Sequence, residues 1–74
     1  MLIINCPMKQ DFIIDLLENH SIDPEITFKN VSKTGIKMEF EVNTEDYDRA
    51  IKVAKATIKS TDVGKVLYYQ ILKG

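Results

Sequence analysis

The sequence is poor in the residues that most often carry chemistry: it has one cysteine, one histidine, no tryptophan and a single arginine, Arg49. The lone cysteine, Cys6, excludes an internal disulfide framework and is more typical of a reducing compartment, so we expect a cytoplasmic protein. With a single arginine, the chain has almost none of the planar guanidinium groups that bind phosphate through two hydrogen bonds, and nucleic acid is not the expected partner. The apolar run Leu2 to Ile4 is too short for a membrane span or a signal peptide.

What the chain does contain is an ordinary globular composition. Hydrophobic residues make up 45% and charged residues 28% of its 74 residues, and the formal net charge is −1. This composition is too apolar for a disordered segment, and the length suffices for one hydrophobic core. We therefore expect a single domain over residues 1–74.

The first half of the chain predicts a strand, a helix and a hairpin. Leu2 to Asn5 is a short buried strand, and Pro7 is the first residue of a helix that ends near His20. From Glu25 the apolar spacing changes from helical to alternating, with a turn over 30–35. The apolar positions of the helix and of the hairpin are Met8, Phe12, Ile13, Leu16, Leu17 and His20, and then Ile26, Phe28, Ile36, Met38, Phe40 and Val42.

The second half predicts another helix and a closing strand. Asn43 or Thr44 caps the helix, whose apolar stripe includes Tyr47, Ala54 and Ile58. Residues 60–64 form a connection, and 65–72 is a fourth strand rich in β-favouring residues. Gly35 and Gly64 are predicted to be turn glycines.

The order strand, helix, strand, strand, helix, strand is that of ferredoxin-like domains. Right-handed crossovers then give an α+β two-layer sandwich: a four-stranded antiparallel sheet with strands one and three in the middle and two helices on one face. Fold class alone does not specify function.

The fourth strand is apolar on both of its faces, which is more than two helices can cover. An edge strand with an apolar outer face is a common place for another chain to pack. We therefore expect a protein partner, and most simply a second copy of the chain, at the strand-four edge or on the open sheet face. The predicted interface residues are Val66, Tyr68, Gln70 and Leu72.

Cys6 and Met8 form the candidate thiol site, since a cysteine between a strand and a helix start can have a lowered pKa. The stretch Asn5 to Lys9 is similar to the metal loop of heavy-metal-associated domains, copper carriers of the same element order. Cys6 matches their first cysteine, but Lys9 occupies the place of the second. The Cys6-Pro7 pair also resembles that of small sulfur carriers, whose strand order differs from this one.

Other side chains give weaker signals. His20 is expected to be a cation at a helix C-terminus, because no catalytic partners can be assembled around it. The acidic residues Asp11, Asp15, Glu18, Asp23 and Glu25 form a band that could pair with Lys52, Lys55 and Lys59. RNA-recognition motifs bind RNA through aromatic residues on strands one and three of this fold. Strand one here has no aromatic residue, so RNA binding is not expected.

Together these features predict a non-catalytic protein-interaction or regulatory module that self-associates and needs no cofactor. The alternative is a thiol-dependent metal or sulfur carrier acting through Cys6. A small-ligand sensor with a pocket at a dimer seam, in the manner of amino-acid-binding regulatory domains of this fold, is neither supported nor excluded by the sequence.

Overall fold

The computed structural model describes residues 1–74 and contains four strands and three helices. The elements in chain order are β1 Leu2–Asn5, α1 Gln10–Asn19, β2 Phe28–Thr34, β3 Lys37–Val42, α2 Tyr47–Lys59, α3 Asp62–Val66 and β4 Gln70–Lys73. None of the helices has the length and apolar character needed to cross a membrane.

The sheet has the order β2-β3-β1-β4, and every neighbouring pair is antiparallel. The predicted α+β class and the central positions of β1 and β3 are therefore confirmed. Paired residues of an antiparallel sheet share a face, so Leu2 lies beside Phe40 and Ile4 beside Met38 on the buried side. The intervening residues Ile3, Glu39 and Lys37 point to the open face.

The core lies between the buried sheet face and the helices, which contribute Ile13, Leu16 and Leu17 from α1 and Ala50, Ala54 and Ile58 from α2. The small alanines let α2 approach the sheet closely. Fully burying one side chain of Leu or Ile size contributes about 1.5–3 kcal/mol, so this cluster is the main source of stability. Thr57 is the one buried polar residue, and its hydroxyl accepts a hydrogen bond from the Ile22 amide at 3.2 Å.

Helix α1 begins at Gln10, so the prediction that Pro7 is its first residue is wrong. The Cys6 amide donates to the Ile36 carbonyl at 2.9 Å, so the chain continues along its neighbour for one residue beyond β1 before the helix can begin. The chain then turns through Lys9, which has a left-handed φ of 57°. The Gln10 side chain donates to the carbonyls of Cys6 and Gly35 and holds this loop in place.

The hairpin turn is also tighter than predicted. Strand β2 continues to Thr34, which pairs with Lys37, so Gly35 and Ile36 alone make the turn. The φ of +58° at Gly35, the first turn position, suits glycine. Ile36 takes the second turn position and is 52% exposed, so its predicted place in the core is wrong. The pairing shifts between Asn30 and Ser32, which makes Val31 a β-bulge.

The cap of α2 is Asp46, neither Asn43 nor Thr44 as predicted. The Asp46 carboxylate accepts from the Arg49 amide at 3.1 Å. The side chain of Asn43 is occupied elsewhere, since it accepts from the Thr27 amide and donates to a carbonyl beside β2. The acidic start of α2 still agrees with the helix dipole.

The last quarter of the chain differs most from its prediction. The expected connection over 60–64 leads directly into α3, where Thr61 Oγ1 accepts from the Gly64 amide at 2.9 Å. This capping bond, with Asp62 in the first turn, favours a helix where composition suggested a loop and then a strand. Strand β4 is therefore only four residues long, Gln70–Lys73.

Candidate functional site

The Cys6 thiol is fully buried beneath the loop that joins β1 to α1. Its Sγ donates to the Met8 carbonyl at 3.0 Å. The Met8 side chain is 62% exposed on the outside of the same loop, so the two sulfur atoms do not converge on one site. A carrier role for this thiol would require the loop to open.

His20 stands at the C-cap of α1, the helix end at which the sequence places it. Its Nε2 lies 3.9 Å from an Asp15 carboxylate oxygen, and both side chains are well exposed. No second histidine exists in the chain to form a larger constellation.

The acidic band pairs with partners other than the lysines of α2. Arg49 Nη2 donates to Asp23 at 2.7 Å and to Glu25 at 3.2 Å, while Lys33 reaches Asp11 at 2.9 Å. The expectation that Lys52, Lys55 and Lys59 neutralise this band is therefore wrong. The one arginine takes that role, because its Nη2 carries two N–H donors and contacts both carboxylates.

This pairing has an electrostatic consequence for the fold. The hydrogen bond from Arg49 holds the pKa of Asp23 below its usual value of 3.8, and the Glu25 amide contributes to the shift. A lowered carboxyl pKa stabilises the folded state above that usual value. This contribution is lost as the pH falls from 3.8 through the folded-state pKa.

The predicted interface residues are all exposed, although only two of them belong to β4. Gln70 and Leu72 lie in the strand on the open face, since the buried residue between them is Ile71. Val66 ends α3 and Tyr68 lies between α3 and β4, so neither is in the predicted strand. Their exposed fractions, 84% for Val66 and 89% for Tyr68, are nevertheless the largest of any large apolar residue here.

Val66 and Tyr68 border a cleft of about 340 Å³ that the sequence does not predict. The cleft brings the loop before α1 against α3 and the segment after it. Its lining residues are Pro7, Met8, Lys9, Val63, Val66, Leu67 and Tyr68. The predicted place of Met8 on the apolar stripe of α1 is wrong, because Met8 precedes the helix and is exposed, and no pattern in the sequence connects it with Val66.

The two edges of the sheet are protected very differently. At the β2 edge the Asn30 amide donates to a Glu18 carboxylate at 2.9 Å, and the bulge at Val31 follows immediately. A capped amide and a bulge both hinder the addition of another strand. Strand β4 has neither device, and it pairs with β1 alone.

Tyr69 carries the one buried side-chain polar atom without a hydrogen-bond partner, its hydroxyl oxygen. Burial raises the pKa of Tyr69 above its usual value of 10.0, and the nearby Cys6 adds to the rise. A raised phenol pKa means that the neutral form is favoured in the folded state. The corresponding stability is present below pH 10.0 and is lost as the pH rises from there through the folded-state pKa.

We expect Tyr69→Phe to stabilise the fold by about 1 kcal/mol, because it removes a buried unsatisfied hydroxyl while keeping the ring. Urea unfolding at neutral pH measures the change, and the variant should also lose its share of the alkaline destabilisation. Tyr68→Phe is the matched control: its side chain is 89% exposed, so a change within about 0.5 kcal/mol is expected. A destabilised Tyr69→Phe variant would show that the hydroxyl has a partner in solution.

No group of three or more His, Cys, Asp and Glu side chains lies close enough together to hold a metal ion. Neither family models, nor curated proteins, nor solved structures give a match to this chain. Its function is therefore inferred from its own surface, on which the β4 edge and the adjoining apolar cleft are the most distinctive features.

Proposed function

We propose that this chain is a non-catalytic interaction module that pairs with a second copy of itself through β4. The observation that carries the proposal is the contrast between the two sheet edges: β2 is capped and bulged, whereas β4 pairs with β1 alone and has no bulge. An uncovered edge offers unpaired backbone groups to another strand. The neighbouring exposed Tyr68 and Val66 supply apolar area beside it.

The hydrogen bonds already present define which groups of β4 are free. Gly74 opposes Met1 and donates to its carbonyl at 2.8 Å. Because bonded and non-bonded pairs alternate along an antiparallel ladder, Leu72 and Gln70 also direct their backbone groups to β1. The N–H and C=O groups of Ile71 and Lys73 therefore point outward from the sheet.

A two-fold axis beside Gln70 gives a self-complementary arrangement. In this register Tyr69 of each copy opposes Ile71 of the other, and Tyr68 opposes Leu72. Two apolar pairs then form on each side of the axis, Lys73 lies opposite Leu67 of the other copy, and the two Lys73 residues lie far apart. The Leu67 amide already donates to the Val63 carbonyl and is not available to the partner. The remaining outward groups of the two copies make about six backbone hydrogen bonds across the seam.

The open sheet face is the less suitable surface for the same partner. It carries Lys29, Lys37, Glu39 and Glu41, and Lys37 is paired with Glu39 at 3.1 Å on its own chain. Packing two such faces together would remove these charges from water at a cost of several kcal/mol per uncompensated ion. Edge pairing leaves them solvated.

Amide hydrogen exchange at increasing protein concentration tests the proposal. The outward amides of Ile71 and Lys73 should become protected as copies associate. The inward amides of Gln70 and Leu72 bond to β1 in either state, and they serve as internal controls. Exchange at Ile71 and Lys73 that stays fast up to near-millimolar concentration would contradict the proposal.

A further inference from the structure

A second cavity, of about 540 Å³, lies between the end of α2, helix α3 and the segment leading to β4. It adjoins the apolar cleft beside Met8 at Leu67, which lines both, and its volume falls within the range of about 300–1,000 Å³ typical of small-molecule sites. We call it the lysine cavity. Its lining residues are Lys55, Lys59, Gly64, Lys65, Leu67 and Tyr69.

The lysine cavity concentrates positive charge on a chain whose net charge is −1. Three of its six lining residues are lysines and none is acidic. Lys55 and Lys59 make no ion pair. Lys65 has one acidic neighbour, Asp62, whose carboxylate is fully exposed and lies 3.9 Å away. Because Lys55 and Lys59 are four residues apart on one helix, they repel each other unless an anion lies between them.

The walls of the lysine cavity are firmly held. Gly64 packs so closely on the end of α2 that an added Cβ would lie 2.5 Å from the carbonyl carbon of Ile58. Leu67 and Tyr69 are the apolar members of the lining, and the Tyr69 hydroxyl is the unpaired polar group described above. A ligand that fits must therefore combine an anionic group with a non-polar body.

We propose that the lysine cavity binds a small organic phosphate, with the phosphate among Lys55, Lys59 and Lys65 and the non-polar body against Leu67 and Tyr69. The phosphate oxygens accept charge-assisted hydrogen bonds from the ammonium groups, which are stronger than neutral ones. This site shares Leu67 and Tyr69 with the proposed β4 seam, whereas its three lysines lie outside that seam. If the chain binds phosphate here but stays monomeric, the self-association proposal is refuted and the phosphate-site proposal stands.

Phenyl phosphate is a suitable probe, and nuclear magnetic resonance can follow its binding at constant ionic strength. We expect saturable shifts at the Gly64 amide and the Tyr69 ring, with weaker binding of inorganic phosphate, which lacks the non-polar body. Lys59→Gln should weaken phenyl phosphate about tenfold, the equivalent of losing one charge-assisted hydrogen bond. Lys52→Gln removes the same charge from the same helix outside the cavity and should change the affinity less than about twofold.

Two results would overturn the proposal. One is equal weakening by Lys52→Gln and Lys59→Gln, which would indicate a general attraction of anions to α2. The other is a titration in which shifts rise without saturation or spread equally to Lys29 on the open sheet face. Circular dichroism of both variants checks that the fold is retained, since both positions are exposed.

Discussion

Replacing Gly64 by alanine is expected to destabilise the fold by about 3 kcal/mol, although alanine is the better helix former. A Cβ at this position would overlap the Ile58 carbonyl oxygen and lie 2.8 Å from Thr61 Oγ1. Both atoms are fixed, because the Thr61 hydroxyl donates to that carbonyl at 2.8 Å and accepts from the Gly64 amide. Thermal unfolding measures the loss, at about 4–8 °C per kcal/mol for a domain of this size.

Gly35→Ala provides the matched comparison, because its cost has a different origin. No atom lies within 4 Å of a Cβ added there, but the φ of +58° is left-handed. Alanine should cost about 1–2 kcal/mol in this conformation. If Gly64→Ala were the milder of the two changes, the close contact between α3 and the end of α2 would not exist in solution.

Replacing Tyr68 by lysine is expected to weaken self-association about a hundredfold. The change removes two aromatic rings from each dimer and places two ammonium groups at the seam, at a total cost of about 3 kcal/mol. The folded monomer should be unaffected, since the Tyr68 side chain is 89% exposed. Sedimentation equilibrium of the variant measures the dissociation constant directly.

Ile36→Lys is the control for Tyr68→Lys. It makes the same kind of apolar-to-cationic change on a residue that is 52% exposed, but at the hairpin turn. The dissociation constant should change little, because Ile36 is not part of β4. Equal effects of the two variants would indicate unspecific apolar association instead of a β4 seam.

The period of apolar residues was enough to predict the sheet and the two long helices. In β3, Met38 and Phe40 alternate with charged residues, and both are fully buried. In α2, Ala54 and Ile58 lie four residues apart and are also fully buried. These patterns depend on local geometry alone, so they can be read without knowing what packs against each element.

The element ends could not be predicted, because they depend on contacts between residues distant in sequence. The start of α1 is delayed by a bond from Cys6 to Ile36, and the Thr27 amide draws the Asn43 side chain away from capping α2. Helix α3 was missed for a different reason. Its cap, Thr61, is a local signal that was outweighed by the β-favouring residues following it.

The candidate site was predicted in part, for equally physical reasons. The surplus of apolar residues after Gly64 indicated exposed positions, and Tyr68 and Val66 are indeed highly exposed. Their proximity to Met8 arises only from the fold, as does the lysine cavity, whose members come from three successive segments. The pairing of Arg49 with Asp23 likewise spans 26 residues, and no local spacing rule could reveal it.

Sedimentation equilibrium of the unmodified chain, from low micromolar to near-millimolar concentration, tests self-association most directly. Two copies joined at β4 predict a rise from the mass of 8.5 kDa to twice that value, with no larger species, because the capped β2 edge prevents further growth. A mass that remains at 8.5 kDa throughout would contradict the pairing of two β4 strands.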